Sequence, residues 1–441
     1  MAMATAESLA APVRPRLSTY RQAMLSLYWF ATAVHWGAIL QLLLPVQAEA
    51  IGGHDFKETT LGVILGIGAL VSMVAAPIFG AMSDRWHTRW GRRTPWLVVG
   101  TAGNVICLIL LAYLPATRAA VVPYALAFMG IELFNNLATA PYSALIPDMV
   151  PPAQRGSASG WQGFMNVLGS GVGVAFGFAL ASIGTRGAYW LIAAFMVAGM
   201  LGTVLTVHEP VTNTSGVPFR WPSFLRGLVT PFHSRDFTWV FLTRLLVLGG
   251  TLMIQVNMRF YMQDVLGAPF RFFGRKLTDD PSFAASLFFL PLLLGGLVGA
   301  YFGGTLSDRY GRKVMVYTSG LLQTVVVILL AVTHSFSLVV LLGIVFGLGY
   351  GAYQAVDWAL ATDILPSEVD YAKDMGVWHV TNTLPQFTAV PIAGFVLSTF
   401  QLIDRRSGNL HPQLGYTLMF ALAITCFILG TVLVNKVRGV R

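Results

Sequence analysis

Apolar segments long enough to cross a bilayer recur along almost the whole chain. A helix needs about 20 mainly apolar residues to span the hydrocarbon core. Segments that meet this requirement lie at residues 22–47, 60–82, 96–115, 121–146, 160–183, 187–207, 238–266, 284–306, 314–333, 336–361, 375–400 and 413–435. Because only helices and closed barrels satisfy their backbone hydrogen bonds in lipid, these segments predict an all-α membrane protein with twelve transmembrane helices.

The composition agrees with a membrane protein and argues against a soluble one. Of the 441 residues, 55% are hydrophobic and 11% are charged, whereas about a quarter of the residues in soluble domains are charged. A formal net charge of +9 would suit nucleic acid, but the basic residues lie between the apolar segments instead of forming one polar surface. We therefore expect the lipid bilayer as a partner and no nucleic acid.

The chain contains no motif that predicts catalysis. Its two cysteines, Cys107 and Cys426, lie far apart in apolar segments, which argues against a disulfide framework or a metal cluster. The glycine-rich stretch at 347–351 lacks the flanking strand of a dinucleotide fold, and no phosphate-loop or zinc-protease motif occurs. We expect no enzyme activity, no metal and no cofactor.

Charge and proline patterns divide the chain and orient it. The termini and the even-numbered loops carry most of the Lys and Arg residues, which predicts that both termini are cytoplasmic in an inner membrane. The longest internal polar stretch contains four prolines, which discourage a continuous helix. The predicted regions are a cytoplasmic tail at 1–21, a six-helix bundle at 22–207, a cytoplasmic linker at 208–237, a second six-helix bundle at 238–435 and a cytoplasmic tail at 436–441.

The two halves share a charged loop. Gly-Ala-Met-Ser-Asp-Arg at 80–85 follows the second segment, and Gly-Thr-Leu-Ser-Asp-Arg at 304–309 follows the eighth. Gly-Arg-Arg at 91–93 and Gly-Arg-Lys at 311–313 come next, with four extra residues in the first copy. This repeat implies two related bundles, and the doubled loop resembles that of the major facilitator superfamily.

These loops carry more charge than orientation requires. An Asp at a helix end can pair with an Arg or with the N-terminus of a neighbouring helix, and would hold the inner sides of the bundles together until they rock apart. The alternative is that the basic residues only satisfy the positive-inside rule. The predicted gating residues are Asp84, Arg85, Arg89, Arg92, Arg93, Asp148, Asp308, Arg309, Arg312 and Lys313.

Two acidic residues lie clearly inside apolar segments. Glu132 is in the fourth segment and Asp357 in the tenth, and we expect them to occupy corresponding positions that face a central cavity. An ionised carboxylate is costly in hydrocarbon, so such a group can take up and release a proton. We expect Glu132 to couple transport to protons. For Asp357, proton coupling, substrate binding and a fixed ion pair remain open, with Arg244 or Arg259 as candidate partners of either acid.

Amide and aromatic side chains are frequent in the segments. Sugars offer many hydroxyls for amides and carboxylates, and apolar ring faces that can lie against aromatic rings, so this mixture suits a neutral carbohydrate. The alternative is that the amides join helices to each other. The candidate substrate-binding residues are Trp36, Gln41, Asn135, Asn136, Gln162, Asn166, Gln255, Tyr353, Asp357, Trp378, Asn382 and Gln386.

The first half resembles the sucrose and related sugar to proton symporters of the glycoside, pentoside and hexuronide branch. The resemblance covers roughly residues 36–169 and rests on three stretches. Leu-Gln-Leu at 40–42 precedes a Pro and a Gln, and the loop at 83–95 keeps the Ser-Asp-Arg, Arg-aromatic-Gly-Arg-Arg and Pro of the family. The fourth segment keeps an acid, two residues and Asn-Asn at 132–136.

The resemblance implies roles for three residues. Glu132 occupies the position of the proton-coupling acid, Arg155 matches an arginine implicated in coupling, and His54 stands like a histidine near the sugar site of the plant members. The sequence departs from the plant pattern because it has Glu for Asp at 132 and Ser143 for an arginine. Sodium-coupled relatives have an acid in the second segment, and residues 61–82 contain none, which favours the proton as the coupling ion.

We expect a functional monomer that transports a disaccharide or glycoside, such as sucrose or maltose, with protons by alternating access. The main alternative is proton-driven efflux of an amphiphile or drug on the same fold. A sugar sensor without transport activity is a third possibility, since fold analogy alone does not choose between them.

Overall fold

The computed structural model describes the chain at residues 16–84, 88–115, 117–151, 154–207, 209, 229–364, 371–407 and 413–438. The side chains of 358–359, 361–376 and 379 lie outside this description. The tails, the linker and the polar loop after the tenth helix are therefore covered only in part.

Within the described residues, eleven helices are long and apolar enough to cross a membrane. The longest, Arg155–Thr206, contains two spans, because Gly184 at φ +66° interrupts it. The predicted twelve helices are confirmed. They are α1 (Thr19–Gly52), α2 (Lys57–Ser83), α3 (Thr94–Tyr113), α4 (Val121–Ser143), α5 and α6 (Arg155–Thr206 before and after Gly184), α7 (Arg235–Tyr261), α8 (Pro281–Tyr310), α9 (Arg312–Val332), α10 (Phe336–Ile364), α11 (Tyr371–Arg406) and α12 (Leu414–Leu433).

Several short turns extend these helices. A π-helical turn lies inside α1 at Ile39–Leu43, and another, Met262–Leu266, extends α7. A short helix, Leu145–Met149, follows α4. The 3-10 turns are Arg118–Ala120 before α4, Thr230–His233 before α7 and Val434–Lys436 after α12.

The helices alternate in direction, so α1 begins and α12 ends on the same side. We name this side the terminal side and the opposite one the distal side. Residues 84 and 88–93 and the loop at 308–312 lie on the terminal side, and the α1–α2 and α7–α8 connections lie on the distal side. The positive-inside rule predicts that the terminal side is cytoplasmic.

A β-hairpin on the distal side was not predicted. Strand β1 (Phe270–Phe272) pairs antiparallel with β2 (Arg275–Thr278) between α7 and α8. Phe273 and Gly274 turn the chain at φ +46° and +84°, and Phe270 packs against Phe336 at the start of α10 with 5.3 Å between ring centroids. The backbone N–H of Phe273 also donates to Ser337 Oγ at 2.8 Å, so the hairpin is attached to the distal end of α10.

Each bundle is held by long helix contacts. In the first bundle α1 packs on α5 and α6, and α4 packs on α2 and α3; in the second, α10 packs on α8 and α9, and α7 packs on α12. Between α8 and α10 the backbones approach closely, because a Cβ at Gly299 would lie 2.1 Å from the Leu348 carbonyl oxygen. Small residues allow such contacts between helices in a membrane. The bundles meet each other through α2 with α11 and α5 with α8.

The contacts between the bundles are concentrated on the distal side. A Cβ at Gly62 of α2 would lie 2.9 Å from the Cα of Pro391 in α11, so these helices touch there. Ion pairs also join the bundles at this end. They are Lys57 Nζ with Asp264 Oδ1 (2.6 Å), Arg259 Nη1 with Glu49 Oε2 (2.9 Å) and Arg405 Nη1 with Asp55 Oδ1 (2.8 Å).

The terminal ends of the interface helices are more loosely surrounded. A Cβ added at five glycines near these ends would meet no atom within 4 Å, in contrast to the close contacts at Gly62. These glycines are Gly80, Gly156, Gly160, Gly163 and Gly304. The described residues therefore have a conformation that is closed on the distal side and open on the terminal side.

Candidate functional site

Glu132 lies between α4 and α2 of the first bundle and is almost fully buried, with 3% of its surface exposed. Its carboxyl group is hydrogen-bonded to Ser72 of α2, and a Cβ at Gly68 would lie 3.1 Å from its Cγ. Asn136 Nδ2 donates to Ser72 Oγ and to the Glu132 carbonyl oxygen, each at 2.8 Å. No ion pair in the described part of the chain involves Glu132. The carboxyl therefore has only neutral polar neighbours.

Asp357 lies between α10 and α7 of the second bundle and has a cation beside it. Its carboxylate forms a buried ion pair with Arg244 and accepts a hydrogen bond from Tyr353 Oη at 3.1 Å. Arg244 Nη2 also donates to Asn382 Oδ1 at 2.8 Å, and its guanidinium lies 4.9 Å from the Trp378 ring centroid. Of the interpretations that the sequence leaves open for Asp357, the structure shows the ion pair with Arg244.

The expectation that Glu132 and Asp357 occupy corresponding positions is wrong. The exits of α4 and α10 match at Ala-Leu-x-x-Asp, which ends at Asp148 and Asp363. Glu132 precedes this Asp by more than four helical turns, whereas Asp357 precedes it by less than two, a difference of about 15 Å along the axis. The counterpart of Asp357 is Tyr142. The similar hydrophobic surroundings of the two acids concealed this difference in depth.

The central amide and aromatic residues differ in exposure. Asn135, Asn136, Tyr353 and Trp378 are buried. The others are partly exposed and distributed over α1, α5, α7 and α11, as expected for side chains near an opening between the bundles. They are Trp36, Gln41, Gln162, Asn166, Gln255, Asn382 and Gln386.

Some of these polar atoms have unused hydrogen-bonding capacity. Gln41 Oε1, Asn135 Oδ1, Trp378 Nε1 and Arg244 Nε are buried and have no partner within the described residues. Such groups are rare in folded proteins because each costs free energy, so they are candidate contacts for a polar ligand. Asn166 Nδ2 donates within its own helix, to the carbonyl oxygen of Gln162 at 3.0 Å.

By contrast, Asn136 and Asn382 do join helices, because their bonds reach Ser72 and Arg244. The alternative role of the amides therefore holds for these two. Both side chains also lie directly beside a buried acid or its partner, so a ligand that reached either acid would meet them.

Two residues implicated by family resemblance lie apart from Glu132. Arg155 is exposed at the terminal end of α5, where Nη2 donates to the Pro147 carbonyl oxygen at 3.3 Å. His54 lies at the distal end with 53% of its side chain exposed, and its Nε2 is 2.8 Å from Arg405 Nη2. In this conformation the structure does not bring either residue to Glu132.

The charged loop of the first bundle forms a network on the terminal side. The Arg93 guanidinium contacts Asp84 Oδ1 at 2.6 Å and Asp148 Oδ2 at 3.1 Å, and its backbone N–H donates to Glu209 at 2.8 Å. Arg92 Nη2 lies 2.7 Å from Asp148 Oδ1. Partial burial disfavours the Arg92 cation, but the hydrogen bond and charge of Asp148 outweigh this effect and raise the pKa of the guanidinium.

The second copy of the loop is simpler. Arg312 Nη1 donates to Asp308 Oδ1 at 2.7 Å and to Ser307 Oγ at 2.6 Å. Arg89 is exposed beside the Trp90 ring, Arg309 is exposed and Lys313 is half-buried. Arg85 lies outside the described residues. These ion pairs brace each bundle internally in the present conformation, and a gating role remains a prediction.

Sequence reasoning missed a second charged cluster, on the distal side. Lys57, Glu58 and Asp264 are buried together there, beside the pair of Glu49 with Arg259. The sequence contained one signal. Lys57, Glu58 and Asp264 stand at the ends of apolar segments, where a single exposed charge would be enough to mark the end of a membrane span. The partners could not be assigned because they are about two hundred residues apart.

A family model described as MFS/sugar transport protein matches residues 56–435. The chain belongs to this family of the major facilitator superfamily. It is therefore a multi-pass integral membrane transporter and not an enzyme.

Curated relatives of this transporter include two kinds of protein. It is 25% identical to the multidrug resistance protein MdtG of Proteus mirabilis over 324 residues, which cover 70% of this chain and 73% of that protein. It is 28% identical to the sucrose transport protein SUC3 of Arabidopsis thaliana over 226 residues, which cover 43% of this chain and 37% of that protein. The likeness to the sucrose protein is thus restricted to part of each chain.

Solved structures share the transporter's fold. A mutant form of the peptide transporter POT superposes with a TM-score of 0.70 at 15% identity and covers 96% of each chain. A bacterial homologue of the human lysosomal transporter Spinster gives 0.68 at 16% identity, covering 95% of this chain and 98% of that one. At these identities the agreement concerns the fold alone.

Proposed function

We propose that this transporter carries a sugar together with a proton by alternating access, with a disaccharide or glycoside such as sucrose or maltose as the substrate. The observation that carries the proposal is the environment of Glu132. It is a deeply buried acid with neutral polar neighbours and without a cation in the described residues. A proton is therefore the available counter-charge for this group.

The rest of the site is suited to a neutral polar substrate. Partly exposed amides and Trp36 are distributed over helices of both bundles, and several buried donors and acceptors have no partner in the described residues. The Asp357–Arg244 pair keeps its charges balanced during transport and holds Asn382 and Trp378 in place. Sugar hydroxyls would satisfy the free amide oxygens, and a ring face would lie against an indole.

The proton controls the conformational change in this proposal. Glu132 binds a proton before the cavity closes, because closing around an ionised carboxylate would leave a buried charge without a partner. If the terminal side is cytoplasmic, as the basic loops indicate, the present conformation is the one that releases sugar and proton to the cell interior. The terminal loops with Arg93 and Arg312 would then close that side in the opposite conformation. We further propose that one chain is sufficient for transport and that sodium is not needed.

Proton-driven efflux of an amphiphile is the second candidate. It is favoured by the longer match, since the multidrug resistance protein MdtG aligns over 70% of the chain and the sucrose transport protein SUC3 over 43%. The partly exposed amides favour a sugar instead, because an amphiphile would leave them without hydrogen bonds.

The test is uptake of labelled disaccharides into proteoliposomes under an inward proton gradient, for wild type and Glu132→Gln. We expect accumulation of at least one sugar by wild type, no accumulation by the variant, and retained sugar exchange in the variant, because the amide imitates the neutral acid. Replacing sodium by choline should change neither the rate of accumulation by wild type nor the rate of exchange by the variant. Unchanged accumulation by Glu132→Gln would contradict coupling through this residue, and expulsion of amphiphiles without any sugar uptake would replace symport by efflux.

A further inference from the structure

Where the two bundles meet on the distal side, a buried lysine and a buried aspartate form an ion pair whose charges cancel. Lys57 at the start of α2 has no exposed surface, and its Nζ lies 2.6 Å from Asp264 Oδ1 at the end of α7. Tyr416 of α12 donates a hydrogen bond to Asp264 Oδ2 at 2.7 Å. Lys57 and Asp264 therefore compensate each other across the two bundles.

Glu58 lies beside this pair without a comparable partner. It is 2% exposed, and its Oε2 is 3.1 Å from Ser398 Oγ of α11. Its Oε1 is buried without a hydrogen bond in the described residues, and the nearest ammonium, that of Lys57, is 3.9 Å away. The Lys57 ammonium thus lies between the carboxyl groups of Glu58 and Asp264, and it forms its close ion pair with Asp264.

The second bundle covers Glu58. Thr59 Oγ1 donates to the Gly394 carbonyl oxygen at 3.2 Å, and the Thr59 N–H donates to Ser398 Oγ at 3.1 Å. A Cβ at Gly394 would lie 2.3 Å from the Glu58 carbonyl oxygen. Water can reach Glu58 from the distal side only if α11 moves away from α2, which is the motion that would open this side.

The other charged groups around the cluster have partners of their own. Arg405 of α11 pairs with Asp55 at 2.8 Å, and the His54 ring lies between two cations, with Nδ1 3.4 Å from Lys57 Nζ and Nε2 2.8 Å from Arg405 Nη2. Arg259 of α7 pairs with Glu49 at 2.9 Å. Three Lys and Arg side chains thus face four carboxyl groups, and ionised Glu58 would add one uncompensated negative charge at a buried position, which is unfavourable.

We propose that Glu58 is a second proton-binding site and that it takes up a proton when the distal side closes. The proton can be shared in the contact between the carboxyl and Ser398 Oγ. When α11 separates from α2, water hydrates the ionised carboxylate and the proton is released. Low pH therefore favours the distal-closed conformation and high pH favours the open one, because closure binds one proton.

This site is distinct from the one at Glu132. Glu132 lies between two helices of the first bundle, whereas Glu58 is covered by a helix of the second, so only Glu58 senses the separation of the bundles directly. The inference uses the alternating motion of the family and does not depend on sugar as the substrate or on proton coupling through Glu132.

The test measures the distance between two spin labels on the distal surface at different pH values. Cysteines replace the exposed residues Ala119, before α4, and Ser335, before α10, in a chain that lacks Cys107 and Cys426. For wild-type Glu58 we expect the short-distance, closed population to fall as the pH rises, by up to about tenfold in the closed to open ratio per pH unit for one proton. Glu58→Gln should remain closed throughout.

Two further variants separate this effect from protonation of Glu132 and test Lys57 as the counter-ion. Glu132→Gln should keep the Glu58-dependent shift. Asp264→Asn should weaken it, because Lys57 then becomes available as a counter-ion for ionised Glu58. A pH shift of wild-type size in Glu58→Gln, or the absence of any shift in wild type, would overturn the proposal; a shift that disappears in Glu132→Gln would assign the proton to that residue instead.

Discussion

In each bundle the first helix contacts the fourth, but the chemistry at the contact differs. In the first bundle Tyr28 of α1 meets Tyr142 of α4, with 5.2 Å between ring centroids. At the equivalent place in the second bundle, Arg244 of α7 meets Asp357 of α10 in a buried ion pair. One crossing is neutral and the other consists of two opposite charges. The first bundle thus has a packing contact where the second has an electrostatic one.

The same contrast applies to the buried acids. Asp357 has a guanidinium, a phenol and, through Arg244, an amide around it. Glu132 has only Ser72 and Asn136. A permanently paired acid is well suited to hold a binding site in shape, whereas an acid with neutral neighbours can change its charge without leaving a cation behind. We therefore propose that proton exchange takes place in the first bundle and that the second provides a fixed scaffold.

Breaking the ion pair of the second bundle should have the largest effect. Arg244→Met leaves Asp357 buried without a counter-ion, and we expect a loss of about 3–5 kcal/mol in stability, measured as a lower melting temperature in detergent. Arg244→Met combined with Asp357→Asn removes both charges and should recover most of this loss. If the single variant melts like wild type, the pair does not support the second bundle.

Removing a neutral neighbour of Glu132 should have a smaller effect, on pH dependence. Ser72→Ala deletes a hydrogen bond that supports the ionised carboxylate, and bonds to charged groups contribute about 1.5–3 kcal/mol. The pH profile of transport should therefore move to higher pH by about one to two units, measured as exchange rates over a pH series. Ser319→Ala, at a buried serine in α9, is a matched control. A shift in the control as large as that in Ser72→Ala would contradict this account of Glu132.

The smallest effects should come from the terminal loops. Arg93 is 3% exposed and contacts two carboxylates, whereas Arg312 is more exposed and pairs with an exposed Asp308. Arg93→Gln should lower stability on the order of 1–2 kcal/mol, and Arg312→Gln by less than about 1 kcal/mol because solvent screens its pair. Melting curves of the two variants test this order. Equal losses would mean that the first loop has no additional structural role.

Much of the fold and part of the site could be predicted from the sequence. Segment length and spacing predicted twelve helices because lipid leaves few alternatives for the backbone. The burial of Glu132 and the pairing of Asp357 with Arg244 were among the predicted outcomes, since an acid in an apolar segment needs either a proton or a cation.

Other features depend on contacts that the sequence does not reveal. Lys57 and Asp264 are ion-paired across 207 positions, and only the meeting of the two bundles brings them together. The prediction that Asp357 lies at the same depth as Glu132 was wrong, because hydrophobicity along a segment does not define a position along the helix axis. The hairpin at Phe270–Phe272 and Arg275–Thr278 depends on a left-handed turn at Phe273 and Gly274, and Phe is uncommon at positive φ.

The contrast between the two acids is tested most directly by infrared difference spectroscopy of the purified transporter between low and high pH. A neutral carboxyl group absorbs separately from a carboxylate, so each exchanging acid contributes to a band that appears on acidification. We predict that Glu132→Gln removes part of this band and that Asp357→Asn leaves it unchanged. A band that is intact in Glu132→Gln, or reduced only in Asp357→Asn, would contradict the assignment of proton exchange to the first bundle.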